Sequence, residues 1–139
     1  MDPDERRRFL MAGTRTGKLA TIRKDGRPHV AAVWFVLDED DSVLFMTGEQ
    51  TVKGRNLRRD PRVTMCVDDQ EPPYSYVTVE GTATVSSDVD GMLPWSTRIG
   101  GRYMGEDQAE AFGRRNAVPG ELLVRITPTK FIAERNVAD

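Results

Sequence analysis

Between Lys18 and Leu37 the chain reads "KLATIRKDGRPHVAAVWFVL". Leu19, Thr21 and Arg23 alternate with Ala20 and Ile22, Asp25-Gly26 supplies a turn, and a β-branched and aromatic run follows. Alternation on one side of an Asp-Gly turn and a β-rich run on the other is a hairpin signal. A polar "EDD" turn then leads into "SVLFMTG", so the spacing predicts strands over 18–23, 29–37 and 42–46, running as an antiparallel meander. "RVTMCVD" alternates again, and "YVTVEGTATVSS" is a long strand whose central Gly81 predicts a bulge or a sharp bend. The last two strands are expected over 122–127 and 130–134, with Pro128 at the corner. Helical signals are short. Asp2-Pro3 opens a helix over 3–11 that lays Phe9 and Leu10 on the core, and Pro61 ends one over 51–60. Residues 88–116 predict two short helices interrupted by Pro94 and the Gly100-Gly101 pair. About seven strands without a strand–helix rhythm argue for a mainly β fold, an antiparallel barrel of six to seven strands with short helices.

A length of 139 residues predicts a single domain, 1–139. The longest apolar run, residues 30–37, is too short to span a bilayer, and "MDPDERRRFLMAG" has no apolar signal core, so a cytoplasmic protein is expected. A formal net charge of −2 argues against general nucleic-acid binding, so an anionic partner must be met locally.

Residues for covalent or metal chemistry are scarce. The one histidine, His29, starts a strand and reads as a hydrogen-bonded rim residue, with no nucleophile in an elbow motif beside it. Cys66, the one cysteine, lies between Met65 and Val67 and reads as core packing, so neither a disulfide nor a metal site is expected. "GGRYMG" lacks the preceding strand of a phosphate loop. "TGEQTVKGRNLRRDP" is different. It follows a strand through Thr47-Gly48 and opens a helix, so backbone N–H groups and the positive end of the helix converge near Lys53 and Arg55. Thr47 and Thr51 offer hydroxyl donors, and Asn56, near one turn on, could direct Lys53. A phosphate cradle and a solvated basic face both fit these residues, and Arg58, Arg59 and Arg62 suit the latter. Trp34, Tyr74 and Tyr76 could lie against a planar ring or pack in a core or dimer contact.

Taken together, "GKLATIRKDGRPHVAAVWF", "KGRNLRRDPRVTMCVDD" and "YSYVTVEGTATV" resemble the split β-barrel flavin and deazaflavin proteins related to pyridoxamine 5'-phosphate oxidase. They look most similar to the actinobacterial branch that uses the deazaflavin coenzyme F420. The resemblance has clear motifs over residues 13–86 and runs more loosely beyond. It implies a homodimer with a cofactor in each of two clefts at the subunit interface. By position it assigns the cofactor phosphate to residues 47–56, with Lys53 and Arg55 as charge partners, Thr47 and Thr51 as donors, and Gly48, Val52 and Asn56 in the same cradle. It rests the ring on Ala32, Val33 and Trp34, with Tyr74, Ser75 and Tyr76 as further walls. The implied activity is an F420-dependent reductase passing hydride to an electron-poor acceptor such as an enone, quinone or tetrapyrrole. An FMN-dependent oxidoreductase and a non-catalytic carrier of flavin, deazaflavin or haem are the alternatives. No side chain is assigned to catalysis, since such a cofactor carries the redox step; a proton could come from water, Tyr76 or His29. The substrate-phosphate binding C-terminus of the longer oxidases is not found, so vitamin B6 oxidation is not expected. Substrate choice is expected to reside in residues 91–116, which match least.

Overall fold

The computed structural model describes residues 1–139. Seven strands, β1 (Gly17–Ile22), β2 (Pro28–Val33), β3 (Val36–Leu37), β4 (Val43–Gly48), β5 (Arg62–Asp68), β6 (Tyr76–Ser86) and β7 (Glu121–Glu134), form one antiparallel sheet. Four helices accompany them: α1 (Pro3–Met11), α2 (Val52–Arg59), α3 (Val89–Met104) and α4 (Ala109–Asn116). The fold is mainly β, as the alternation predicts.

The pairing order is β2-β1-β5-β6-β7-β4-β3, which corrects the expected meander. The first hairpin is real, with Leu19 opposite Ala31, but β2 has no second neighbour, and the predicted strand over 29–37 breaks at Trp34-Phe35. β2 and β3 lie at opposite edges of the sheet, yet two residues join them. Two residues and their flanking bonds span roughly 11 Å, so the sheet must curl until its edges meet. Trp34-Phe35 is the seam of that curled sheet. β4 pairs with β7 instead of β2, and residues 123–126 of β7 bond to β4 on one edge and to β6 on the other.

The closing strand is one element of 14 residues where two were expected. Pairing with β6 runs through Pro128, and a register shift at Glu80/Gly81 absorbs it, which places the bulge at the predicted glycine. A Cβ on Gly81 would stand 2.4 Å from the Thr127 carbonyl oxygen, so only glycine allows the approach. The core is the inward set of these alternations, Leu19, Phe35, Phe45, Met65, Val67, Val77, Val79 and Val124 among others. Leu10 of α1 joins it and Phe9 packs against it, while the Asp2 carboxylate caps the helix through the Glu5 N–H at 2.8 Å. Cys66 is half-buried on the opposite face of β5 from Met65 and Val67. Strand alternation puts it outside the core to which the sequence reading assigned it.

α3 runs unbroken through Pro94, Gly100 and Gly101, and the helices part at Gly105, whose φ of 102° ends α3. The glycines are close-approach positions: a Cβ on Gly100 would meet Phe112 at 2.9 Å, and one on Gly113 would meet Thr97 Oγ1 at 2.2 Å. No helix is long and apolar enough to cross a membrane.

Candidate functional site

Ala32, Val33 and Trp34, at the end of β2, line a cavity of about 300 Å³, and Lys53 of α2 lines it too. Met46 of β4, Ser96 and Ile99 of α3, Phe112 and Asn116 of α4 and Glu121 of β7 complete the wall. The strands form one side and the α3–α4 pair the other. Trp34 is fixed by stacking on Tyr103 with ring centroids 4.9 Å apart and planes within 3°, and Phe112 tilts against it at 5.6 Å. The Tyr103 hydroxyl accepts from the Phe35 N–H at 3.2 Å and donates to the Arg15 carbonyl at 2.7 Å. Arg102 donates to the carbonyls of Leu10, Gly13 and Phe35, each within 2.9 Å. These two α3 side chains satisfy the Phe35 N–H and C=O that the strand break leaves without sheet partners, and tie the end of α1 and the segment leading to β1 to the same place. Burial lowers the Arg102 pKa and raises that of Tyr103.

The start of α2 keeps part of its predicted character. Thr51 is the N-cap, its hydroxyl accepting from Gly54 N–H at 3.0 Å, and the N–H groups of Val52 and Lys53 have no acceptor in the chain. Those free donors beside Lys53, with no acid in the first turn, suit an anion. The threonine hydroxyls are otherwise engaged. Thr51 Oγ1 donates to the Gly48 carbonyl at 2.8 Å and lies 2.8 Å from Thr47 Oγ1, so the Thr47 proton goes to Thr51, and Thr47 itself is buried. Gly54, absent from the sequence reading, is required here, because a Cβ on it would stand 2.4 Å from the Gly48 carbonyl oxygen.

Other predicted residues separate from this cavity. Arg55, Val52 and Asn56 line a second cleft of about 440 Å³ with Arg23, Lys24, His29 and Arg59. Asn56 does not direct Lys53: it is buried, its Nδ2 donates to Thr21 Oγ1 at 3.0 Å, and its Oδ1 accepts from Arg59 at 2.9 Å. His29 Nδ1 is buried with no hydrogen-bond partner, contrary to the expected satisfied rim histidine. Arg62 chelates Asp60 through two bonds, at 3.1 and 2.8 Å, and Arg58 sits 3.7 Å from Glu49. Tyr74, Ser75 and Tyr76 line a third cleft with Asp68, Asp69, Gln70 and Val137. In one copy of the chain they do not touch the first cavity.

Sequence reasoning missed Met46, Ser96, Ile99, Tyr103, Phe112, Asn116 and Glu121. Most lie in the segment that carried no recognisable motif, and their convergence depends on the α3–α4 packing. The Gly100-Gly101 pair was the one available signal.

The family model described as pyridoxamine 5'-phosphate oxidase matches residues 3–133. A 5a,11a-dehydrotetracycline/5a,11a-dehydrooxytetracycline reductase from Streptomyces rimosus is 35% identical over 74 residues, 48% of this chain and 52% of that protein. The chain therefore matches about half the length of this curated relative. Among solved structures, a conserved hypothetical protein from Mycobacterium tuberculosis aligns with all of this chain and 89% of its own, at 26% identity and a TM-score of 0.84. An F420 reductase aligns with 90% of this chain and 94% of its own, at 28% identity and a TM-score of 0.69. The curled seven-stranded sheet, its seam and the match over residues 3–133 lead to one assignment: the chain belongs to the pyridoxamine 5'-phosphate oxidase family of split β-barrels.

Proposed function

We propose that the protein is an oxidoreductase that binds the deazaflavin coenzyme F420 and reduces an electron-poor organic acceptor, with FMN as the alternative cofactor. One observation carries this reading: a cavity walled by Trp34 and Phe112 also holds Lys53, which stands at a helix start whose first N–H groups have no acceptor in the chain. Its size is at the small end of ligand pockets, suited to a planar ring held by stacking and anchored by a phosphate. Trp34, Ala32 and Val33 would support the ring, and Lys53 with the Val52 and Lys53 N–H groups would hold the anion. Such a ring supplies or accepts hydride when bound. The chain's own residues bind it, orient it and exclude water, while Ser96 and Asn116 offer polar contacts to an acceptor. The likeness to an F420 reductase supports the choice of cofactor, and the likeness to a reductase from Streptomyces rimosus supports reduction of an organic acceptor.

The homodimer belongs to this reading. The outer faces of β2, β1, β5, β6 and β7 carry Val30, Ala20, Cys66, Thr78 and Ile132 around the Lys18–Asp68 ion pair, with Glu80 and Lys130 towards one end, a mixed surface that would meet a second copy. Tyr74, Ser75 and Tyr76 would reach a cofactor only from a partner subunit.

The test is a fluorescence titration of the purified protein, following Trp emission, with the deazaflavin and with FMN. Quenching at micromolar deazaflavin and none with FMN is the expected result; the reverse selects the flavin. Reduced cofactor mixed with a panel of enones, quinones and tetrapyrroles then reads turnover, and a protein that binds cofactor yet oxidises it with none of them is a carrier.

A further inference from the structure

Two ionisable side chains line the cavity, and the anion site uses only Lys53. The other is Glu121, the first residue of β7, paired across the sheet with Gly48. Its Oε2 would lie 3.3 Å from a Cβ placed on Gly48, so the carboxyl reaches over the glycine that precedes the anion-binding turn. No N–H or O–H of the chain donates to this carboxyl, and no cation approaches within ion-pair distance, although ten other ion pairs form. Lys53 is the one charged group facing it from the cavity wall; the residues from β2, β4, α3 and α4 are uncharged. Burial, the larger influence, pushes the carboxyl above the ordinary glutamate range, and the Lys53 ammonium pulls the other way. A carboxyl without partners in a reaction cavity is placed to give up a proton.

We propose that Glu121 is the acid that supplies the proton when an acceptor in this cavity is reduced, an inference that rests on the reductase reading above. For an enone the atoms balance as follows. The acceptor's β-carbon receives hydride from the reduced deazaflavin or flavin, forming a C–H bond and breaking the C=C π bond. The displaced electron pair moves to the α-carbon and carbonyl oxygen and takes the proton from Glu121. The acceptor gains two electrons and two hydrogens, the cofactor is oxidised, and the Glu121 carboxylate regains its proton from solvent.

Carbon-13 NMR of protein labelled at the glutamate carboxyl carbon, compared with Glu121→Gln, identifies the Glu121 resonance. It should titrate above the other glutamates. Stopped-flow oxidation of reduced cofactor by 2-cyclohexen-1-one should fall with pH through that same midpoint. In Glu121→Gln the rate should drop on the order of 100-fold or more and lose that limb, while cofactor affinity does not fall. Wild-type rate and profile in Glu121→Gln, or a Glu121 resonance that titrates with the rest, overturns the proposal. If Glu121→Gln does not fold, Glu121→Asp serves: its rate limb should move with the new carboxyl's NMR midpoint, and a limb that stays in place overturns the assignment. A wild-type protein that oxidises cofactor with no acceptor removes the reductase reading itself and the acid's role with it, a failure visible in the wild-type trace alone.

Discussion

Lys53 and Arg55 stand two residues apart, about 200° around a helix, so they face different sides of α2. That geometry separates two cations that look equivalent as text. Lys53→Ala should weaken cofactor binding by about 1.5–3 kcal/mol, as loss of a charged hydrogen bond does. Arg55→Ala should leave it within about 0.5 kcal/mol, the usual range of a surface change away from a site. Fluorescence titration of both variants reads the difference, and equal losses would return Arg55 to the cofactor site. Asp60 offers a second test at this scale. The hydrogen bonds from the Arg62 guanidinium and the Arg62 N–H, with its charge, hold the Asp60 carboxyl at about 2, against 3.8 for an ordinary aspartate. A folded-state value below the unfolded one contributes stability that is complete above about pH 4 and lost as pH falls towards 2. Denaturation of wild type and Asp60→Asn across that window should converge at its acid end. The helix start itself was legible because a strand, a Thr47-Gly48 turn and a basic helical run follow one another locally, while the capping role of Thr51 and the need for Gly54 emerge only from the folded backbone. Asn56 was not legible either, because its partner Thr21 lies 35 residues away.

α3 and α4 show why helices that read as broken can be whole. Local propensity counts Gly100, Gly101 and Gly113 as weak points, but Gly100 and Gly113 let the facing helix approach where a Cβ would collide. Gly113→Ala should therefore cost about 1–3 kcal/mol by overpacking against Thr97, where an alanine in an open helix would gain stability. A thermal melt decides the sign, and a raised midpoint would mean that the helices separate easily. The same variant should disturb the cavity, since Phe112 and Asn116 ride on α4. The alternation made nearly every strand legible, because it is written in adjacent residues. The bulge was legible too, since Gly81 interrupts the pattern that contains it. Which strands pair was not: β4 against β7 joins residues almost 80 apart, and no local pattern records that choice.

For the whole molecule, the proposed homodimer makes two expectations rise or fall together. Val30, 64% exposed on the outer face of β2, is the most accessible large apolar residue on that surface. Val30→Asp should yield monomers in sedimentation analysis and lose cofactor affinity with them, because Tyr74, Ser75 and Tyr76 would no longer reach the ring. A monomer that binds cofactor at full strength would place those three residues outside the site. The seam at Trp34-Phe35 bears on how such a protein can change. The Phe35 N–H and C=O are satisfied by Tyr103 and Arg102, and Tyr103 also stacks on Trp34 in the cavity wall. Barrel closure and the cavity wall thus draw on the same few side chains of α3. A descendant that takes a bulkier acceptor has room to vary at Ile99 and Phe112, but it cannot swing the helices away without opening the barrel. New specificity in this scaffold should arise by trimming side chains inside a fixed frame, and the residues at the seam should be the last to drift.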